Sequence, residues 1–135
     1  MYLTLLKEEQ KELFLGLAFH LASADGDYSD EEKAVIAGYC QEMQMTFDQD
    51  KMVKPIKEII SKINLSCNSC EKRIIVFEAI GLVMADNNYD EVERRIVKLM
   101  TDTFDLGDRF AKNCEVVLNE YIYFQNRINK LVIGE

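Results

Sequence analysis

Apolar and polar residues alternate along most of this chain with the three- and four-residue spacing of α-helices. The clearest stripe comprises Leu6, Leu13, Leu17, Leu21 and Ala24. Similar patterns predict helices over about 5–24, 30–45, 50–63, 70–85, 91–104 and 108–132. We therefore predict an all-α fold, a compact bundle of six or seven helices. Two stretches, 14–24 and 74–85, are apolar nearly all round, so we expect one central helix from each half of the chain.

An internal repeat divides the chain into two related halves. At an offset of 61 residues, six identical pairs align: Ala18/Ala79, Leu21/Leu82, Ala24/Ala85, Asp25/Asp86, Tyr28/Tyr89 and Glu32/Glu93. The polar segment 64–69 is predicted to be the linker between them. We predict a single domain, 1–135, whose halves are 1–66 and 67–135 and are related by pseudo-twofold symmetry.

Each half carries an acidic turn between two helices. Gly26 in the first turn aligns with Asn87 in the second, and both residue types accept the left-handed conformation that often ends a helix. Ser29 and Glu32 have the spacing of a capping box, in which each side chain bonds the backbone amide of the other residue. Asp90 and Glu93 repeat this spacing.

Composition narrows the range of partners. The formal net charge is −8 and the isoelectric point is about 4.7, so nucleic acid and anionic membranes would be repelled. The apolar run 74–85 is too short to span a bilayer, and the N-terminal residues show no signal-peptide pattern. We expect a cytoplasmic protein that acts through a protein partner or as a homodimer.

The segment Leu17–Glu32, with its Ala-Ser-Ala-Asp-Gly core, resembles the TerB-like family. This family is associated with tellurite resistance and includes the N-terminal domain of a DnaJ-like co-chaperone. The resemblance implies an all-helical fold, acidic surface sites proposed to bind metal, and no established enzymatic activity. The second turn departs from the family pattern, because Asn87 and Asn88 replace a glycine and an acid.

The acidic turns have two interpretations. Carboxylates are ligands for Ca²⁺, Mg²⁺ or Mn²⁺, although the spacing is not that of an EF-hand. The candidate ligands are Asp25, Asp27, Glu31 and Glu32 in the first turn and, as a weaker set, Asp86, Asn88 and Glu93 in the second. Alternatively, these acids only cap helices and complement the helix dipole.

The cysteines offer a further hypothesis. Cys67 and Cys70 form a single C-x-x-C pair, with no second pair to complete a zinc site, so zinc is not expected. Cys70 is near a predicted helix N-terminus, where a thiolate is favoured, and this makes a thiol-based redox sensor conceivable. Cys40 and Cys114 are expected in the core. His20 is the single histidine, and no catalytic partner is recognisable, so we expect no enzyme.

The last predicted helix has a seven-residue apolar repeat, with members at Phe110, Cys114, Val117, Tyr121, Phe124, Ile128 and Leu131. Either this helix wraps the bundle along its whole length, or its C-terminal half projects and pairs with another chain. In the second case Tyr121, Phe124 and Ile128 are the candidate docking residues.

Three functions remain open from the sequence. The first is a non-enzymatic, TerB-like accessory module that binds a divalent cation and acts through a protein partner in a stress response. The second is a plain interaction or dimerisation module whose acidic turns are only caps. The third is a redox sensor that uses Cys67 and Cys70.

Overall fold

The computed structural model describes residues 1–24, 26, 28–52, 54–85 and 89–134. Within these ranges it contains six α-helices and no strand, which confirms the predicted all-α class. The helices are α1 (Glu8–Ala22), α2 (Asp30–Met43), α3 (Ile56–Ser66), α4 (Ser69–Val83), α5 (Glu91–Thr103) and α6 (Asp108–Ile133). Two short 3₁₀ turns, Leu3–Leu5 and Gln49–Lys51, lie outside them. No helix in the described part of the chain is long and apolar enough to cross a membrane.

The two nearly all-apolar helices, α1 and α4, form the centre of the bundle as predicted. α1 packs against α2, α3 and α4, and α4 also contacts α2, α5 and α6. Because both helices are surrounded by others, they need apolar side chains on most faces. Buried side chains from all six helices form one continuous cluster, which is typical of one domain.

Phe14 lies at the junction of the central helices. Its side chain is fully buried, and its ring meets the edge of the Tyr39 ring at 5.1 Å between centroids. The Tyr39 hydroxyl donates a hydrogen bond to the backbone carbonyl of Glu78 at 2.5 Å. This contact links α1, α2 and α4 and satisfies a phenol that would otherwise be costly to bury.

Several predicted boundaries are wrong. α1 begins at Glu8 and not near residue 5, because the backbone at Leu6 is extended after the first 3₁₀ turn. The third helix begins at Ile56, since Pro55 has the extended conformation of a cap residue. The predicted linker 64–69 is mostly helical, because α3 continues to Ser66 and α4 begins at Ser69.

An offset of 61 residues relates the bounds of α1 to those of α4 and the start of α2 to that of α5, but not the start of α3 to that of α6. Glu8 and Ser69 begin α1 and α4, and Ala22 and Val83 end them. The order of three helices in each half also agrees with the predicted repeat. The pseudo-twofold relation of the halves in space stays a prediction.

The last helix, α6, is about 39 Å long at 1.5 Å per residue. Cys114 and Leu118 are its buried residues, and this N-terminal part packs against α4 and α5. Every residue from 119 to 134 is exposed. The C-terminal half of α6 therefore projects beyond the bundle, and the alternative that the whole helix wraps the bundle is wrong.

Candidate functional site

The first acidic turn leads into α2 through a complete capping box. The Glu32 amide donates to Ser29 Oγ at 3.1 Å, and the Ser29 amide donates to Glu32 Oε1 at 3.2 Å. The Ser29 hydroxyl also donates to Glu32 Oε1, at 3.0 Å. Glu32 is only 3% exposed. This carboxylate therefore has a defined structural task at the start of the helix.

The second turn repeats this arrangement at α5. The Asp90 amide donates to Glu93 Oε1 at 3.1 Å, and the Glu93 amide donates to Asp90 Oδ1 at 2.8 Å. A third capping box, which we did not predict, joins Asn68 and Glu71 at the start of α4. Its N-x-x-E spacing is the same signal as the S-x-x-E and D-x-x-E spacings of the other two boxes.

After each acidic turn, a basic side chain lies over the ring of a tyrosine. The Lys33 ammonium lies 5.3 Å from the centre of the Tyr28 ring, and the Arg94 guanidinium lies 3.9 Å from that of Tyr89. Lys33 and Arg94 are themselves 61 residues apart, so the repeat contains this pair as well. The offset could have revealed it, because it aligns two basic residues. Each cation holds its tyrosine against the beginning of a helix.

The structure leaves the predicted metal ligands only partly described. Asp25, Asp27, Asp86 and Asn88 lie outside the described residues. Glu31 is exposed, while Glu32 and Glu93 are buried in their capping boxes. Among the described residues, no group of three or more histidine, cysteine, aspartate or glutamate side chains could hold a metal ion. A cation site at either turn therefore stays a prediction.

The cysteine pair differs in its two members. Cys67 is buried between α3 and α4, and burial raises the pKa of its thiol. Cys70 is exposed in the first turn of α4. A raised pKa leaves less thiolate at neutral pH, so Cys67 does not have the activation expected of a redox-sensing thiol. The redox hypothesis stays a prediction. Cys40 and Cys114 are buried as expected.

A cavity of about 590 Å³ lies between α1, α3 and the segment that joins α2 to α3. Leu13, Gly16 and Ile59 contribute apolar surface, and lysines and acids share the remainder of the lining. The described lining residues include no histidine or cysteine. His20 is outside the lining, and its Nε2 lies 2.6 Å from the carbonyl oxygen of Lys54, which is a lining residue. The contact requires the proton to be on Nε2, which gives His20 a structural role.

An apolar surface covers the projecting half of α6. Tyr121 is 43% exposed, Phe124 is 59% exposed and Ile128 is 43% exposed. We call this surface the α6 stripe; its members are Val117, Tyr121, Phe124, Ile128 and Leu131. Ile122 and Tyr123, on the other side of the helix, are exposed as well. Large exposed apolar side chains along a helix are typical of a protein interaction surface. The structure thus places all three predicted docking residues together on one accessible surface.

The arrangement of the six helices defines the class of protein, an all-helical bundle with the TerB-like fold. A crystal structure of a tellurite resistance protein from Nostoc punctiforme matches this chain with a TM-score of 0.64 and 22% sequence identity. The match covers 94% of this chain and 82% of that chain. The resemblance noted at Leu17–Glu32 is therefore confirmed at the level of the fold. No protein-family model and no curated protein sequence matches the chain.

Proposed function

We propose that this protein is a non-enzymatic, TerB-type module that acts by binding a protein partner through the α6 stripe. The observation that carries the proposal is the exposure of large apolar side chains along a helix that leaves the bundle. Phe124 alone exposes 59% of its surface, at a cost that burial against a partner would remove. The family resemblance implies no established enzymatic activity, and the chain shares its fold with a tellurite resistance protein.

The chemistry of the surface fits a helical partner. Tyr121, Phe124 and Ile128 are spaced by three and four residues, so they lie along one line of the helix. Phe124, Ile128 and Leu131 share a shallow, open depression on the surface of α6 with Arg127 and Lys130. A second helix can pack its own apolar side chains against such a surface.

A photoactivatable aromatic residue in place of Tyr121 tests this function in the protein's native cells. We expect irradiation to give a discrete covalent adduct, because position 121 would lie against the partner. The adduct should disappear with Phe124→Asp, which puts a charge in the interface. It should persist with Asn126→Asp, which adds the same charge on the side of α6 opposite to the stripe. The readout is the mass and identity of the adduct by gel and mass spectrometry.

Absence of any adduct at position 121, or an adduct that Phe124→Asp leaves unchanged, would refute binding through the stripe. The bundle itself should tolerate both aspartates, because the two positions are exposed. Circular dichroism and thermal unfolding of the purified variants check that the fold is intact.

A second candidate function is the binding of a divalent cation at the first acidic turn. The start of α2 favours it, because the capping box engages Glu32 while Asp30 and Glu31 remain exposed beside it. Asp25 and Asp27 add two acids within a few residues. A bound Ca²⁺, Mg²⁺ or Mn²⁺ would relieve the repulsion among them.

Thermal unfolding of chelator-stripped protein tests the cation. At about 100 times its dissociation constant, a bound ion adds about 2.7 kcal/mol to the free energy of unfolding. This should raise the midpoint by several degrees, at roughly 2–8 °C per kcal/mol. The rise should vanish in Asp25→Asn/Asp27→Asn.

Glu32→Gln separates the two roles of this residue. Glutamine still accepts the capping hydrogen bond but has no charge for a cation, so the fold should persist while the response to the ion weakens. A midpoint that no ion raises in the wild-type protein would leave the acids of this turn as helix caps. Asp86→Asn examines the weaker second turn in the same way.

A further inference from the structure

We propose that the partner on the α6 stripe is a second copy of this chain, paired with its α6 antiparallel. This inference rests on the proposed function and specifies who the partner is. Three properties of α6 support it: the spacing of the stripe, the positions of its charges, and its local net charge.

The spacing of the stripe is that of a helix that pairs with another helix. Val117, Tyr121, Phe124 and Ile128 follow one another at intervals of four, three and four residues. This alternation defines the seam of a two-helix coiled coil. Upstream members of the repeat, such as Cys114, are buried against the bundle. The seam is therefore available only beyond the point where α6 leaves α4 and α5.

The charged residues beside the seam are complementary to themselves. Glu120 and Arg127 are seven residues apart, and each directly precedes a seam residue, Tyr121 or Ile128. They therefore lie on the same side of the seam, one heptad apart along the helix. Both are exposed, and the Arg127 guanidinium lies 5.9 Å from the centre of the Tyr123 ring on the same helix.

Only the antiparallel orientation pairs these charges. In a parallel dimer the edge with Glu120 and Arg127 faces the opposite edge of the partner, where Gln125 and Val132 stand, and no ion pair forms. In an antiparallel dimer, the edge that carries Glu120 and Arg127 faces the same edge of the partner helix. Glu120 then faces the partner's Arg127, and twofold symmetry repeats the pair, as an isologous interface requires.

The apolar layers agree with this register. Tyr121 stacks against the partner's Phe124 on both sides of the twofold axis, and Val117 against the partner's Ile128. The overlap from 117 to 128 is about 18 Å long. Leu131 lies beyond this overlap. One register satisfies the apolar layers from 117 to 128 and both ion pairs.

The local net charge also favours self-association at this place. The chain as a whole has a net charge of −8, so two copies repel one another over most of their surfaces. From 119 to 134, in contrast, one acid, Glu120, and two bases, Arg127 and Lys130, give a net charge of +1. Two copies therefore approach through the projecting half of α6 without the strong repulsion that the acidic remainder of the chain would cause.

Sedimentation equilibrium over a wide range of protein concentration tests the pairing. We expect the wild-type mass to rise from the monomer value of 15.6 kDa to twice that value. Glu120→Arg should weaken the dimer about tenfold, because two favourable pairs become repulsive. Glu120→Arg/Arg127→Glu should restore wild-type affinity. Asn126→Arg, on the opposite side of α6, should leave the affinity unchanged.

Disulfide cross-linking tests the orientation. With exposed Cys70 changed to alanine, antiparallel pairing predicts a cross-link when Val117→Cys and Ile128→Cys chains are mixed, and none with either chain alone. Cross-linking of either variant with itself would overturn the orientation. A dimer insensitive to Glu120→Arg, or affected without rescue by the double variant, would overturn the charge pairing.

The two levels of the proposal can fail separately. A chain that remains monomeric at every concentration, but gives a stripe-dependent adduct with a different protein, overturns the second-copy inference and leaves the proposed function standing. A monomer without any adduct at position 121 overturns both.

Discussion

Phe14→Ala should lower the free energy of unfolding by about 3–5 kcal/mol, the range for removing a buried aromatic ring. Phe14 has no exposed surface, and its ring contacts Tyr39 where α1, α2 and α4 meet. The loss is large against a total stability of about 5–15 kcal/mol for a domain of this kind. Urea denaturation followed by circular dichroism measures it.

Phe124→Ala is the matched control for this substitution. The same atoms are removed from a ring that is 59% exposed, so the stability of the monomer should change by less than about 0.5 kcal/mol. Phe14→Leu retains more apolar volume and provides a second point if the alanine variant does not fold. Equal effects at positions 14 and 124 would contradict the observed division between core and interaction surface.

Raising the pH above about 9 should destabilise the fold, and this is the second large effect. Burial raises the pKa of the Cys114 thiol from 9.0 to about 11 and that of the Tyr89 phenol from 10.0 to about 12. Burial also raises the pKa of Tyr39 well above 10.0. All three groups remain protonated in the folded chain at pH values where the unfolded chain releases their protons.

The direction of this pH effect follows from the linkage between proton binding and folding. When the unfolded chain binds fewer protons than the folded chain, the free energy of unfolding falls as the pH rises. The contribution of each group is fully present below its unfolded pKa and is lost as the pH rises toward its folded pKa. For Cys114 the window is pH 9 to about 11, and the loss is on the order of 2 kcal/mol.

Urea denaturation at several pH values between 8 and about 11, under reducing conditions, measures this decline. Cys114→Ala should reduce the slope of stability against pH within that window, whatever its effect at neutral pH. Cys70→Ala, at an exposed position, serves as the control and should leave the slope nearly unchanged. An identical slope in wild type and Cys114→Ala would contradict the assignment to this thiol.

Local patterns in the sequence were sufficient for much of the fold. The apolar spacing identified the class and the central position of α1 and α4, and the S-x-x-E and D-x-x-E spacings identified two capping boxes that the structure contains. These features depend on residues within one turn of each other, and sequence reasoning handles such short-range relations well.

Features set by tertiary packing were harder to predict. The segment 64–69 is polar, and its composition therefore predicts a linker. In the structure α3 continues to Ser66, Cys67 is buried and Asn68 caps α4, so the two helices nearly meet. The seven-residue apolar repeat of α6 does not indicate which of its residues are buried and which are exposed. Only the structure shows that Cys114 packs against the bundle while Phe124 does not.

The projecting half of α6 also determines how amide hydrogens exchange with solvent. Residues 119–134 are all exposed, and an isolated helix of this length is only marginally stable in water. Their amides should exchange by local fraying, far faster than those of α1 and α4, whose opening requires disruption of the core. A bound partner would slow exchange in this segment first. The exchange rate of the amides at the end of α6 therefore indicates whether a partner is bound, because a partner would lengthen the lifetime of their backbone hydrogen bonds.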